Sequence, residues 1–202
     1  DNKSIRELSD LFGLLPGQYT ELLVDVDTIW LSTVINGMSF ITNGRSTTFN
    51  RQSGNLQSNI LNSISKDSKG NIWVCANDGI GKYSDGSFRW YNVEDGLSYP
   101  IVLHMTEDKL GRYWFASYLG GINMLDGEEF FYLTMEDGLS SDNIYSITTD
   151  KEGHIWAGTG RGIDLIQLDP EGNISGIQNL GIYDGFTGIE NNGTAIFIDM
   201  EN

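Results

Sequence analysis

Seven polar and aromatic residues have the side chains that a binding surface needs to hold a sugar or a peptide strand. Tyrosine rings can stack on an apolar face, amides and carboxylates can exchange hydrogen bonds, and a guanidinium can donate several at once. The candidates are Asn77, Asp78, Tyr99, Tyr118, Asp142, Asn143 and Arg161. They are scattered along the sequence, so they form a site only if the fold carries them to one surface.

The residues that most often carry catalysis are few and form no recognisable motif. The two histidines are His104 and His154, and the single cysteine, Cys75, lies in an apolar run typical of a buried side chain. The arginines occupy unrelated positions, at Arg6, Arg45, Arg51, Arg89, Arg112 and Arg161. The chain contains no G-x-S-x-G, H-E-x-x-H or phosphate-binding motif. We therefore expect no enzymatic activity, no metal site and no cofactor.

The charge balance excludes some classes of partner. The chain of 202 residues has 12 Lys and Arg against 28 Asp and Glu, which gives a net charge of −16. Such acidity argues against nucleic acid or an anionic membrane surface as the main partner. Carboxylate pairs are common in a chain this acidic, so their presence says little about acid–base chemistry. No apolar run approaches the length of about 18 residues that a membrane span requires.

The elements that must position the candidates form an internal repeat. Four tryptophans recur every 41 to 43 residues, at Trp30, Trp73, Trp114 and Trp156. Three of them end the pattern D-x-x-G-x-x-W, in DSKGNIW, DKLGRYW and DKEGHIW, and the first ends the degenerate DVDTIW. A second landmark, Asp-Gly-Leu, recurs at Gly96 and Gly138. Both landmarks define a unit of about 42 residues.

Each unit contains four short apolar runs of strand length. Between Gly96 and Gly138 these are IVLHMTED, RYWFAS, GINML and EFFYLT, separated by turn sequences, and no segment has sustained helical periodicity. Four strands in each repeat of this length are typical of a β-propeller blade. We predict an all-β fold, a partial β-propeller of about four complete four-stranded blades with flanking strands.

The predicted blades cover roughly residues 18–50, 59–92, 101–133 and 143–180 of a single propeller segment that spans residues 1–202. Flanking strands are predicted at 3–8 and 194–199. Four blades and two extra strands rarely close a ring, so we expect a section of a larger propeller. Its open edges favour packing against the rest of that propeller or against a second copy.

Each recurring residue has an expected structural role. The Asp of D-x-x-G accepts hydrogen bonds from turn amides, the Gly adopts a positive φ, and the Trp fills the wedge between neighbouring blades. Asp-Gly-Leu forms the crossover to the next blade, with Leu97 and Leu139 as anchors. The turns lack the ligand spacing of a calcium-binding loop, so they predict no metal.

The combined pattern resembles the two-component regulator propeller repeat. It reads D-x-x-G-x-I-W-x-x-T-x-x-G-I … F-x-x-Y … D-G-L-S-S-x-x-I-x-x-I and is clearest from Ile60 to Asp199. The resemblance implies a periplasmic or extracellular sensor region in front of a membrane span and a histidine kinase or another signalling output. It also implies carbohydrate fragments as ligands, because many sensors of this kind respond to them.

Strand parity predicts that the crossovers and the loops after the tryptophan strands share one face, and all seven candidates lie in those segments. These loops differ between repeats, which marks positions that the scaffold does not dictate. We predict a ligand-sensing propeller segment of a two-component receptor that binds an oligosaccharide. The alternatives are a protein-interaction propeller without a small ligand and a propeller enzyme, either a sialidase or a streptogramin-type lyase. The enzymes need clustered arginines or paired histidines, and His104 and His154 are not expected to converge.

Overall fold

Short runs of β-branched and aromatic residues, separated by turns that mostly contain glycine, form the strands of this chain. The computed structural model describes Leu14 and residues 18–185. Within these residues the chain forms four antiparallel sheets of four strands each, with helical structure limited to three short 3-10 turns. The predicted fold class, an all-β partial propeller, is confirmed. The predicted flanking strands at 3–8 and 194–199 lie outside the described residues.

The strands follow one another within each sheet in sequence order. The first sheet contains β1 (Tyr19–Asp25), β2 (Thr28–Thr33), β3 (Met38–Thr42) and β4 (Arg45–Phe49). The second contains β5 (Leu61–Lys66), β6 (Ile72–Ala76), β7 (Gly79–Ser84) and β8 (Ser87–Tyr91). The third contains β9 (Val102–Glu107), β10 (Tyr113–Ser117), β11 (Gly121–Asp126) and β12 (Glu129–Leu133). The fourth contains β13 (Ile144–Thr149), β14 (Ile155–Thr159), β15 (Gly162–Leu168) and β16 (Ile174–Leu180).

The four sheets are successive blades, because their first strands lie side by side. Strand β1 contacts β5, β5 contacts β9, and β9 contacts β13. The apolar core lies between the blades, where Trp30, Trp73 and Trp114 each pack on the next sheet. The Trp73 ring, for example, lies 4.5 Å from that of Tyr113 and 5.7 Å from that of Phe115, both on β10. This is the predicted wedge, and it leaves Trp73 and Trp114 only 1% exposed.

A carboxylate in the first turn of each regular blade holds the tryptophan that forms this wedge. One carboxylate oxygen of Asp108 accepts the backbone N–H groups of Leu110 and Arg112, and the other accepts the Trp114 indole N–H at 2.8 Å. Asp67 accepts the indole of Trp73 at 2.9 Å, and Asp150 that of Trp156 at 2.8 Å. Each Asp therefore closes the turn, as expected, and also fixes the ring six residues later, which the sequence reading did not predict.

The second blade adds a bond across the blade boundary. The hydroxyl of Tyr113, on the third blade, donates to the same Asp67 oxygen at 2.9 Å. Burial alone would raise the pKa of Asp67, but its hydrogen bonds, led by that from Trp73, hold the pKa below its ordinary value. The pKa of Asp150 is lowered in the same way against burial, with the bond from Trp156 the largest favourable cause. The two carboxylates are thus stabilised in their charged forms.

The first blade lacks this carboxylate. Val24 stands six residues before Trp30, and the buried indole N–H of Trp30 has no partner among the described residues. The ring itself still packs between blades, 4.8 Å from Phe40 and 5.6 Å from Tyr83. The first blade, with its degenerate DVDTIW sequence, therefore keeps the packing of the tryptophan ring between blades but lacks the hydrogen bond from the indole to a carboxylate.

The Asp-Gly-Leu segments form the crossovers between blades. Residues Val93–Asp95 and Met135–Asp137 each form a single 3-10 turn closed by a reciprocal capping box, and Gly96 ends the first turn with φ 107°. Leu97 and Leu139 follow these turns and are 3% and 4% exposed, so they anchor the crossovers in the core.

Replacing Asp108 with alanine tests the anchoring carboxylate. The Asp108→Ala change leaves a buried indole N–H and the Arg112 guanidinium, 2.7 Å from Asp108, without their acceptor. We expect the free energy of unfolding to fall by about 3 kcal/mol, measured by denaturant titration. The matched control is Asp169→Ala, which alters a similar turn whose carboxylate bonds Asn173 and no tryptophan. Equal destabilisation of both variants would contradict the role given to the indole bond.

The lowered carboxylate pKa values predict acid sensitivity. Because Asp67 and Asp150 have folded pKa values below that of the unfolded chain, about 3.9, their contribution is complete above that value. It is lost as the pH falls through the lowered folded pKa. We expect the free energy of unfolding to decrease between about pH 5 and pH 2, and the Asp67→Asn variant to show a shallower dependence. An unchanged slope in that variant would show that Asp67 is not one of the responsible groups.

Candidate functional site

Backbone hydrogen bonds bring the loops after the second strands against the crossovers. Tyr118 N donates to Ile101 O at 3.0 Å, and Gly160 N donates to Asn143 O at 3.0 Å. Asn77 N donates to Ile60 O at 3.3 Å in the second blade. These segments form one surface, which we call the crossover face: loops 34–37, 77–78, 118–120 and 160–161, with crossovers 50–60, 92–101 and 134–143. All seven sequence-predicted candidates lie on it.

Three of the candidates support the loops themselves. Asp142 Oδ1 accepts Met135 N at 2.8 Å, and Asn143 Oδ1 accepts Leu119 N at 3.2 Å. Asn77 Oδ1 accepts the side-chain amide of Asn62 at 3.0 Å. Part of the hydrogen-bonding capacity of these residues is therefore used inside the protein, which fixes their orientation toward any ligand.

The structure brings Tyr118, Asn143 and Arg161 together at the third and fourth blades. Tyr118 is 38% exposed, and its ring lies 6.5 Å from that of Tyr145 at an angle of 43°. Asn143 lies beneath the Tyr118–Leu119 loop, and exposed Arg161 donates from Nη1 to Ser140 O at 3.3 Å. We call Tyr118, Tyr145, Asn143 and Arg161 the tyrosine site. It combines two aromatic faces with amide and guanidinium donors.

Tyr145 was not among the predicted residues, although the repeats contain a signal for it. The first strand of every blade has a register shift, at Thr20, Asn62, Leu103 and Tyr145 respectively. A β-bulge re-aims a side chain out of the sheet pattern. The bulge residue differs in type in all four blades, so the scaffold does not dictate it.

The remaining candidates lie apart from the tyrosine site. Tyr99 lies against Gly120, where an added Cβ would approach its Cβ to 2.5 Å. Asp78 is exposed and lines a separate shallow groove with Arg51, Leu56 and Gln57. The seven predicted residues thus share a face without forming one cluster.

A hydrogen bond from a serine N–H to a buried side chain holds each of two crossovers in place, and the sequence analysis did not predict it. Ser98 N donates to Asn123 Oδ1, and Ser140 N donates to Asp164 Oδ2, both at 2.9 Å. Asn123 and Asp164 occupy equivalent positions on β11 and β15 and are 0% exposed. The serine of Asp-Gly-Leu-Ser recurs together with Asn or Asp in the third strand, and this pairing is the signal that could have revealed the contact.

The residues with catalytic potential have structural contacts. His104 Nδ1 lies 2.9 Å from Ile147 O on the neighbouring first strand, whereas His154 Nδ1 accepts Leu168 N at 3.0 Å. Cys75 is fully buried, and this burial raises the pKa of its thiol to about 12. Among the described residues no group of three His, Cys, Asp or Glu could hold a metal ion. In that same part of the chain no helix has the length and apolarity of a membrane span.

Comparison with known proteins supports the predicted resemblance. The family model described as a two component regulator propeller matches residues 138–161, which run from the last crossover through the fourth tryptophan. The resemblance predicted from the sequence is therefore confirmed for this repeat. No curated protein matches the chain.

Similar solved structures include extracellular domains of one component and hybrid two component systems from B. thetaiotaomicron. One, from a one component system, is 22% identical with a TM-score of 0.75 over 90% of this chain and 27% of its own. Another, from a hybrid two component system, is 20% identical with a TM-score of 0.69 over 84% of this chain and 25% of its own. This chain therefore spans about a quarter of their length. Virginiamycin B lyase from Staphylococcus aureus is 17% identical with a TM-score of 0.63, over 81% of this chain and 55% of the lyase. At these identities the likeness concerns the fold.

The left-handed backbone conformation of Leu119 allows a test of how the 118–120 loop is stabilised. Leu119 has φ 64°, a left-handed conformation that costs a bulky residue about 1 kcal/mol, although its side chain is 51% exposed. We expect Leu119→Asn to raise the melting temperature, because Asn tolerates this conformation. Val26→Asn is the matched control, because Val26 has a similar φ of 51° in the turn between β1 and β2 and its side chain is 91% exposed. A lower melting temperature for Leu119→Asn would show that Leu119 stabilises its loop.

Proposed function

We propose that this chain is part of the propeller sensor domain of a two-component signalling receptor and binds an oligosaccharide on its crossover face. The repeat match at residues 138–161 and the likeness to extracellular receptor domains support the sensor assignment. They also support a periplasmic or extracellular location. The protein acts by binding, without catalysis, and passes the signal to an output module of the full receptor.

The observation that carries the ligand proposal is the tyrosine site. The 6.5 Å separation of the Tyr118 and Tyr145 rings, with an angle of 43° between them, gives a ligand two differently oriented aromatic faces. The apolar face of a pyranose ring stacks on such a surface, while hydroxyl groups receive hydrogen bonds from amide and guanidinium groups. Asn143, beneath the Tyr118–Leu119 loop, and Arg161, on the adjoining 160–161 loop, supply these donors. A charged ligand is not required, which suits the net charge of −16.

The first and fourth blades each have an outer face on which further blades or a second copy can pack. Leu22 and Val24 on β1 are 52% and 63% exposed, whereas Leu61 and Ile64 on β5 are buried under the first blade. Trp156 is half-buried at the other end, in contrast to Trp73 and Trp114. Further blades of the receptor's propeller cover both faces, or a second copy does so in an isolated segment.

A propeller enzyme and a protein-interaction propeller remain the competing functions. The enzyme alternative rests on a likeness of fold to a lyase at 17% identity. Each histidine has a backbone hydrogen-bond partner. His104 lies on the first strand of the third blade, and His154 lies in the first turn of the fourth.

Loss of oligosaccharide binding in tyrosine-site variants tests the proposal. A glycan array would identify a ligand, and calorimetry would compare wild type with Tyr118→Ala, Tyr145→Ala and Arg161→Ala. We expect each change to weaken binding by roughly tenfold, as removal of one good contact typically does. Tyr183→Ala is the matched control, since Tyr183 is 97% exposed in the turn that follows β16. Unchanged affinity in all three site variants, with melting temperatures retained, would refute the choice of site.

A further inference from the structure

In two blades a fourth-strand side chain is tied to the preceding crossover. Trp90 on β8 donates its indole N–H to Asn55 O at 3.3 Å, and Asn179 on β16 donates to Gly138 O at 3.2 Å. Both carbonyls belong to the residue immediately before the buried crossover leucine, Leu56 or Leu139. The fourth strand and the crossover are thereby joined at the rim of the crossover face.

The third blade lacks this tie. Tyr132 on β12 occupies the equivalent position. It pairs with Asn123 on β11, the third residue of the third strand. In the other two blades the third residue of the third strand pairs in the same way, Gly81 with Trp90 and Asp164 with Asn179. Tyr132 is 59% exposed, and its hydroxyl group has no hydrogen-bond partner within residues 18–185. A groove of about 380 Å³ opens beside it, lined by Val93, Gly96, Leu97, Ser98, Leu119, Gly120, Tyr132, Thr134 and Asp142. We call this the Tyr132 groove.

The walls of the Tyr132 groove carry two exposed apolar side chains, Val93 and Leu119, that the fold does not require. Val93 and Leu119 are each 51% exposed, and Leu119 holds a costly left-handed conformation there. The corresponding groove of the second blade is lined by Arg51, Gln57 and Asp78, with Leu56 at its base. Because the same scaffold accepts polar residues at this place, the exposed apolar side chains of the third blade suit a partner better than they suit folding.

The charge around the groove selects the kind of partner. Asp142 lines it, Glu94 and Glu136 are exposed in the two adjoining crossover turns, and none of its lining residues is Lys or Arg. With a net charge of −16 on the whole chain, the groove attracts cations and repels acidic segments.

We infer that the Tyr132 groove binds a cationic peptide segment of a partner protein. An aliphatic or aromatic side chain of the segment packs between Val93, Leu119 and Tyr132, and flanking Lys or Arg side chains lie near the carboxylates of the adjoining turns. The groove lies between the crossovers that enter and leave the third blade, and the tyrosine site lies between the third and fourth blades. No residue lines both sites, which adjoin along the 118–120 loop and at Asp142 and Asn143, and this inference does not depend on oligosaccharide binding.

A peptide array and fluorescence anisotropy test the inference. The array carries seven-residue peptides with a central Leu, Ile, Phe, Tyr or Trp flanked by Lys and Arg, together with the same peptides in which Glu replaces each Lys and Arg. The strongest cationic peptide, labelled with fluorescein, is then titrated with wild type, Tyr132→Asn and Leu119→Asn. Tyr132→Asn introduces the residue that ties the fourth blade. Tyr183→Ala and Val26→Asn are controls outside both sites, and Tyr118→Ala reports whether the tyrosine site takes part.

We expect cationic peptides to bind and their acidic counterparts not to. The two groove variants should weaken binding by roughly tenfold or more, with melting temperatures at or above that of wild type, whereas both controls should bind as wild type does. Added salt should weaken binding, because the charges at the rim are exposed. The inference is overturned if no cationic peptide binds, if the groove variants bind unchanged, or if Tyr118→Ala alone abolishes binding. Competition by a neutral oligosaccharide at this groove would equally overturn it.

Discussion

The hydrogen bond from a tryptophan indole to the carboxylate six residues earlier is the constraint on which the rest of the structure depends. It ties the turn between the first two strands to the ring that wedges against the next blade, at 2.8 to 2.9 Å in three blades. Because a buried donor without an acceptor is costly, the bond allows a ring with a polar atom to fill an apolar boundary. One residue pair therefore couples local turn geometry to the packing of successive blades.

Most of the fold could be predicted because each repeat supplies the same landmarks. The spacing of the tryptophans fixed the number of blades, and the roles of Gly96, Leu97 and Leu139 followed from turn chemistry and apolarity. The indole bond could not be predicted, since the orientation of a ring depends on the neighbouring blade. The contacts of Ser98 with Asn123 and of Ser140 with Asp164 were missed for the same reason, because they join a crossover to a strand about 24 residues later.

The candidate site could be predicted less well than the scaffold. Strand parity placed these loops on one face. It could not show that Asp142 and Asn143 accept hydrogen bonds from backbone groups of neighbouring loops, or that Asp78 lines a separate groove. Tyr145 was missed because a bulge, and no simple alternation, sets its direction. Differences between repeats proved more informative than the shared pattern. The bulge residue, the strained Leu119 and the untied Tyr132 all depart from what the scaffold requires, and they surround the two surfaces to which we assign binding.

The most direct test of the central claim is the pH dependence of the tryptophan indole signals in a proton–nitrogen correlation spectrum. We predict slow hydrogen exchange for the indoles of Trp73, Trp114 and Trp156, and shifts of the Trp73 and Trp156 signals as Asp67 and Asp150 titrate in the acid range. The Trp30 indole, whose N–H has no partner among the described residues, and the Trp90 indole, which donates to a backbone carbonyl, should not follow that titration. If all five indoles respond alike, or if the Trp73 and Trp156 signals ignore the titration, the carboxylate does not hold the tryptophan ring between the blades and the central claim is wrong.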